Sequence, residues 1–217
     1  MPEELFAQIQ KAVIELDEES LSKLTEEIIA AKVDPAEAID KAYTAGIQKV
    51  GDLFEKGDYF LPELIRAAAI VKEAVARVEK LIPEGQVMRK GKIVMGTVAG
   101  DIHDIGKNLV ITWISTRGIE AVDIGVDCPV DRFIDRAIEE NADIIGASCL
   151  LTMTAPEQKK LIERMKEREI RQRFKVLVGG AAIDGAWAEE IGADGFAGDM
   201  KEAADVALSL LAERKEI

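Results

Sequence analysis

The apolar period of this chain changes once, near residue 90, and that change limits the folds open to it. Before it, apolar side chains recur every three or four residues, the spacing that gives a helix one buried face. Leu5, Phe6, Ile9, Val13 and Ile14 outline a first helix, and Leu21, Leu24, Ile28 and Ile29 a second. A third is expected to open at Asp34-Pro35-Ala36-Glu37, where an N-cap acid, a proline in the first turn and a Glu able to close a capping box coincide. Its face is Ile39, Tyr43, Ile47, Val50 and Phe54, and it ends at Lys56-Gly57-Asp58. The fourth runs from about Leu61 through Leu64, Ala68, Val71, Val75 and Val78 to Leu81, halting at Pro83-Glu84-Gly85. Short connections between amphipathic helices imply an antiparallel four-helix bundle over residues 1–85.

After a linker at 86–91, short β-branched apolar runs alternate with helical patterns. Strands are expected at 92–98, 121–124, 144–148, 175–178 and 195–197, and helices at about 105–117, 130–140, 155–168, 184–191 and 201–213. Nearly continuous apolar strands alternating with helices imply a parallel sheet covered on both faces. Residues 92–217 thus read as a flavodoxin-like or Rossmann-like α/β domain with strand order 2-1-3-4-5, its ligand crevice outside the ends of strands one and three.

A net charge of −13 opposes a nucleic-acid surface, which needs clustered Lys and Arg. Met1-Pro2-Glu3-Glu4 is unlike a signal peptide, and no run has the apolar length of a membrane span, so a cytoplasmic protein is expected. Cys128 and Cys149 have no framework spacing and read as reduced thiols.

Three unusual clusters fall where this topology gathers ligands. Gly100, Asp101, His103, Asp104 and Gly106 follow strand one; Ser148-Cys149-Leu150-Leu151-Thr152-Met153-Thr154 follow strand three; Gly179-Gly180-Ala181-Ala182 follow strand four. Small residues let a bulky group approach the backbone, and Ser148 and Thr152 offer hydroxyls. His103 is the single histidine of the chain. A metal bound there would draw its other ligands mostly from a cofactor, as an axial ligand beneath a macrocycle does. Asp101 is placed to accept the second ring N–H and fix the tautomer.

Asp101-Ile102-His103-Asp104-Ile105-Gly106, then Ser148-x-Leu150, then Gly179-Gly180, resembles the cobalamin-binding pattern DxHxxG…SxL…GG. The helical half, with Gly51-Asp52-Leu53-Phe54-Glu55-Lys56-Gly57-Asp58-Tyr59-Phe60-Leu61-Pro62, is similar to the cap that precedes this module in cobalamin-dependent methionine synthase. The two-part layout resembles the stand-alone corrinoid proteins that serve methylamine, methanol or methoxy-compound methyltransferases.

The resemblance implies a cobalamin or related cobamide held base-off, with His103 as the lower ligand to cobalt and a methyl-Co(III)/Co(I) cycle. It implies a relay through Asp101 to Ser148, although a strand-end hydroxyl also satisfies backbone groups. Gly100, Ile102, Asp104, Ile105, Gly106, Leu150, Thr152, Gly179, Gly180 and Met200 complete the implied cofactor contacts; Gly179 and Gly180 equally suit an ordinary strand-to-helix turn. Phe54 and Leu61 match cap residues that shield the upper face of the corrin, and their seven-residue spacing also suits a bundle core. Cys149 stands where a small residue is expected and reads as an inert small hydrophobe.

The implied role is that of a methyl carrier rather than a stand-alone catalyst. Its partners would be a substrate-specific methyltransferase, a second methyltransferase acting on a thiol or a tetrahydrofolate or pterin, and a reductive activator, with residues 83–90 as hinge. A cobalamin-dependent mutase subunit shares DxHxxG but needs no helical cap. A corrinoid-dependent sensor would carry an output domain. A phosphoacceptor domain would carry a carboxylate where Ser148 stands. The runs Glu18-Glu19 and Glu139-Glu140 read as solvated helix surface, with some acidic area open to partner docking.

Overall fold

The computed structural model describes residues 2–81 and 90–215 and divides the chain into two compact units, Met1–Met88 and Arg89–Ile217. The residues expected to act as hinge lie almost wholly outside the described ones.

The first unit is helical: α1 (Pro2–Ile14), α2 (Glu18–Ala30), α3 (Pro35–Ala38), a π-helical segment (Ile39–Thr44), α4 (Ala45–Lys56) and α5 (Leu61–Glu79). Phe6, Ile9 and Val13 of α1, Leu21 and Ile28 of α2, and Leu64, Ile70 and Val78 of α5 are buried together with Val50. The expected third helix is therefore not one regular α-helix. Its central π turn widens the helix locally, and Ala42 and Tyr43 within it and Gly46, Ile47 and Val50 after it are all buried. Tyr43 is held there by its hydroxyl, which donates to Thr25 Oγ1 at 2.9 Å. Gly46 lets α4 approach α1, since a Cβ there would stand 3.1 Å from Val13 Cβ. The expected reciprocal capping box is half made. Asp34 accepts from the Glu37 N–H at 2.8 Å, but the Glu37 carboxylate turns to Lys41 at 2.7 Å.

The second unit is a five-stranded parallel sheet of order β2-β1-β3-β4-β5, with β1 Gly91–Thr97, β2 Ile119–Asp123, β3 Ile144–Ser148, β4 Lys175–Gly179 and β5 Gly195–Ala197. Helices α6 (Ile105–Thr116), α7 (Val130–Glu139), α8 (Pro156–Glu167), α9 (Gly185–Ile191) and α10 (Met200–Lys215) join and follow the strands. Val94, Ile145 and Val176 point to one face, where they pack with Phe133 and Ile134 of α7, Leu161 and Met165 of α8 and Ile191 of α9. The opposite face belongs to α6 and α10, and Gly91 is bare because Leu211 of α10 lies against it. Gly91 pairs with Ile119, so the linker expected to reach residue 91 ends before it. The second strand likewise starts at Ile119, earlier than expected, because left-handed Gly118 (φ 81°) turns the chain straight out of α6.

The strand registers place Thr97, Ser148, Gly179 and Ala197 in one row across the sheet at its carboxyl edge. The three clusters singled out in the sequence therefore emerge side by side from neighbouring strands.

Candidate functional site

Asp101 follows a tight turn at Gly100, whose φ of 78° needs a glycine, and its side chain is wholly buried. One carboxylate oxygen, Oδ1, accepts the His103 main-chain N–H at 3.0 Å and faces the His103 ring Nδ1 at 2.6 Å. The other, Oδ2, accepts the Leu150 N–H at 2.7 Å and the Leu151 N–H at 3.3 Å, with the Thr154 hydroxyl at 3.4 Å. Burial alone would raise the Asp101 carboxyl. The N–H groups of His103 and Leu150, then the His103 ring and the Leu151 N–H, outweigh it and hold the group below its ordinary value. An ionised Asp101 keeps the proton on Nδ1, which leaves the lone pair on Nε2.

That nitrogen lies on the side of the ring away from Asp101, in a side chain 48% exposed. The loop is fixed from below by Thr97, a buried residue whose hydroxyl donates to the His103 carbonyl at 2.9 Å. Around His103 the surface is apolar and open: Ile102 is 73% exposed, Ile105 76% and Met153 92%, with Leu150 and Leu151 partly exposed beside them. Exposed aliphatic side chains gathered about one oriented imidazole suit a broad, largely apolar ligand. Among the described residues no cluster of three His, Cys, Asp or Glu could hold a metal ion, so a metal at Nε2 would need donors from elsewhere.

The glycines of the site divide by physical cause. A Cβ on Gly180, which adopts φ 122°, would overlap the Cys149 carbonyl oxygen, and one on Gly179 would stand 2.7 Å from the Ala197 carbonyl oxygen. Both are required by backbone packing within the sheet edge. Gly106, in the first turn of α6, has nothing within 4 Å of a Cβ, so no packing contact among the described residues explains its bareness. A groove of about 390 Å³ runs beside Gly180, lined by Thr152, Ala155, Ala181, Ala182, Ile183 and Trp187 among others. Its wall is braced by Gln158, a buried amide that donates to the Ala147 carbonyl at 2.8 Å and accepts from Trp187 Nε1 at 3.1 Å.

The loops that carry Asp101 and His103, Leu150 and Leu151, and Gly180 thus lie against one another, with one difference in connectivity from the expected relay. Ser148 is not among the described hydrogen-bond partners of Asp101; its carbonyl accepts from the Val98 N–H at 3.1 Å, and Thr154 occupies the place facing the carboxylate. The sequence shows Thr154 in the same cluster, but nothing in its spacing singles it out. Gln158, Trp187 and Lys107 also escape a reading of motifs. Lys107 is a buried cation whose ammonium donates to Asp123 and Asn108, each at 2.7 Å. Cys149 is buried, with its thiol pushed up by desolvation, in keeping with an inert side chain. Met200 opens α10 just after β5, half-buried. Phe54, in the last turn of α4, and Leu61, the first residue of α5, are half-buried within the helical unit.

Two family models, each described as a B12 binding domain, match this chain, one over residues 91–208 and the other over residues 5–79. Dimethylamine corrinoid protein 1 of Methanosarcina acetivorans is 43% identical over 97% of this chain and 99% of that protein. Trimethylamine corrinoid protein 1 of the same organism is 39% identical over 88% of this chain and 90% of its own length. Among solved structures, a chain of the methanol:cobalamin methyltransferase complex from Methanosarcina barkeri superposes with a TM-score of 0.87 at 26% identity, covering 96% of this chain and 80% of that one.

Proposed function

The chain belongs to the corrinoid proteins built on B12 binding domains, and from that premise we propose that it carries methyl groups between two methyltransferases, with His103 as the lower ligand of its cobamide. Cobalamin or a related cobamide is its cofactor. The residues present fit that group: one imidazole with its outer nitrogen free of Asp101, apolar side chains exposed around it, and a Gly106 that leaves open space above the helix start.

When bound, the corrinoid supplies a cobalt centre that takes a methyl group from one partner and yields it to another. The chain does the rest. His103 Nε2 would offer its lone pair to the cobalt, and Asp101 holds the ring proton on Nδ1 so that this lone pair stays available. Ile102, Ile105 and Leu150 exclude water from the face beside the ring. The groove by Ala181, Ala182 and Trp187 is the proposed seat of the cofactor's nucleotide tail. Phe54 and Leu61 are assigned to shielding the upper face.

The proposed partners are a methylamine, methanol or methoxy-compound methyltransferase as donor, a second methyltransferase to a thiol or a tetrahydrofolate or pterin as acceptor, and a reductive activator. The relatives' names differ in donor, dimethylamine, trimethylamine and methanol, while the cobalamin module is shared. Donor choice is accordingly assigned to the partner enzyme. No described helix is long and apolar enough to cross a membrane.

The observation that carries this reading is the 2.6 Å approach of His103 Nδ1 to a buried carboxylate at the sheet edge. Its test is to load the wild type and His103→Ala with hydroxocobalamin and compare visible spectra. Both should retain some cofactor, with different spectra; identical spectra would overturn the assignment of His103.

A further inference from the structure

The loop carrying Asp101 and His103 is tied to the connection between β2 and α7. Beyond its last paired residue, β2 continues beside β1: the Thr97 N–H donates to the Gly125 carbonyl at 3.0 Å, and the Cys128 N–H to the Thr97 carbonyl at 3.0 Å. Asp127 then grips the ligand loop through two bonds. Its Oδ1 accepts the Gly100 N–H at 2.7 Å, and its own N–H donates to the Asp101 carbonyl at 2.9 Å. Asp127 makes both from a left-handed backbone, φ 50°, uncommon for a residue with a side chain and most often found where surrounding structure enforces it. The short bond to a carboxylate is of the charge-assisted kind.

Gly100 and Asp101 are thus fixed at their backbone by one residue further along the chain, Gly100 by the Asp127 carboxylate and Asp101 by the Asp127 main-chain N–H. The Asp101 carboxylate can orient the imidazole only if its own main chain is held still. We propose that Asp127 is a positioning residue for the axial ligand, setting the Asp101 backbone and through it the direction of His103 Nε2. The proposal rests on the reading of His103 as a cobalt ligand. Asp127 is argued to act only through Asp101.

The test separates backbone shape from the side-chain acceptor. Asp127→Gly keeps the left-handed turn and loses the acceptor, whereas Asp127→Asn keeps both. Because the chain has a single histidine, the ring ¹⁵N signals of the cofactor-free protein report on His103 alone. The second readout is binding of hydroxocobalamin, followed by its visible spectrum. Asp127→Gly should move the ring signals away from a fixed Nδ1–H tautomer and weaken hydroxocobalamin binding about tenfold, the lower end for loss of an outer partner of a metal ligand. Asp127→Asn should restore both. Wild-type behaviour of Asp127→Gly in both readouts would overturn the proposal. A failure of the ligand reading shows separately, as a wild-type spectrum identical to that of His103→Ala, and the ring signals of the cofactor-free variants then decide the role of Asp127.

Discussion

Asp101 and His103 meet at 2.6 Å across a boundary: the carboxylate is fully buried while the imidazole is about half exposed. One member is thereby fixed by the protein and the other offered to a ligand. Asp101→Asn would keep an oxygen for the Leu150 and Leu151 N–H groups, which turns its NH₂ toward Nδ1 and shifts the ring proton to Nε2. Hydroxocobalamin affinity should fall about 10–100-fold. A spectrophotometric titration of the variant checks this, and unchanged affinity would remove Asp101 from the ligand's support.

The two glycine classes should respond in opposite directions. Gly106→Ala fills open space on a helix, so the cofactor-free protein should gain up to about 1 kcal/mol while hydroxocobalamin binding weakens. Gly180→Ala forces a side chain into a positive-φ position against the Cys149 carbonyl and should lose about 1–3 kcal/mol or more. Urea unfolding of the cofactor-free variants measures both. Equal losses would mean that Gly106 too is held by protein packing.

Burial pushes the thiols of Cys128 and Cys149 up from their ordinary value. In the native protein both should therefore resist alkylation by iodoacetamide at pH 8 and react once unfolded. The sign of the pH effect follows: at alkaline pH the unfolded chain releases thiol protons that the native chain retains, so unfolding becomes easier. Stability should begin to fall as the pH rises through about 8.5, the thiol range of an unfolded chain. Replacing both cysteines by alanine should flatten that limb, and urea midpoints between pH 7 and 10 give the comparison.

Gln158 joins three elements with one buried amide: the end of β3 through the Ala147 carbonyl, β4 through the Gly179 carbonyl at 3.4 Å, and α9 through Trp187. Gln158→Leu leaves the Trp187 N–H and the Ala147 carbonyl without this partner and should cost about 1–3 kcal/mol. It should also loosen the wall of the groove. Chemical denaturation gives the first effect and quenching of Trp187 fluorescence the second, with Trp187→Phe identifying which signal is which.

Much of this molecule is legible in its sequence, for reasons that can be stated residue by residue. Helical spacing at Phe6, Ile9 and Val13, and β-branched runs such as Ile144-Ile145, report which side chains must leave water, and local geometry fixes what structure then follows. The π turn at Ile39–Thr44 is not legible in that way, since Ile39, Tyr43 and Ile47 fit an ordinary helix; it follows from how Tyr43 reaches Thr25 on α2. Nor does spacing reveal why Gly180 is a glycine, because the colliding atom, the Cys149 carbonyl oxygen, lies in the loop that follows β3.

The sequence by itself determined the two periods, the parallel sheet and the edge at which Asp101, Ser148 and Gly179 would gather, since alternation and right-handed crossovers leave few topologies. Only the tertiary structure decided that the second oxygen of Asp101 faces Leu150, Leu151 and Thr154, and that Asp127 grips the Gly100–Asp101 backbone. Those bonds join residues 26 to 53 positions apart, whose approach depends on how two turns happen to close. Apolar patterning is a local average over many side chains, whereas a hydrogen bond is a single distance, set when the packed strands bring their loops together.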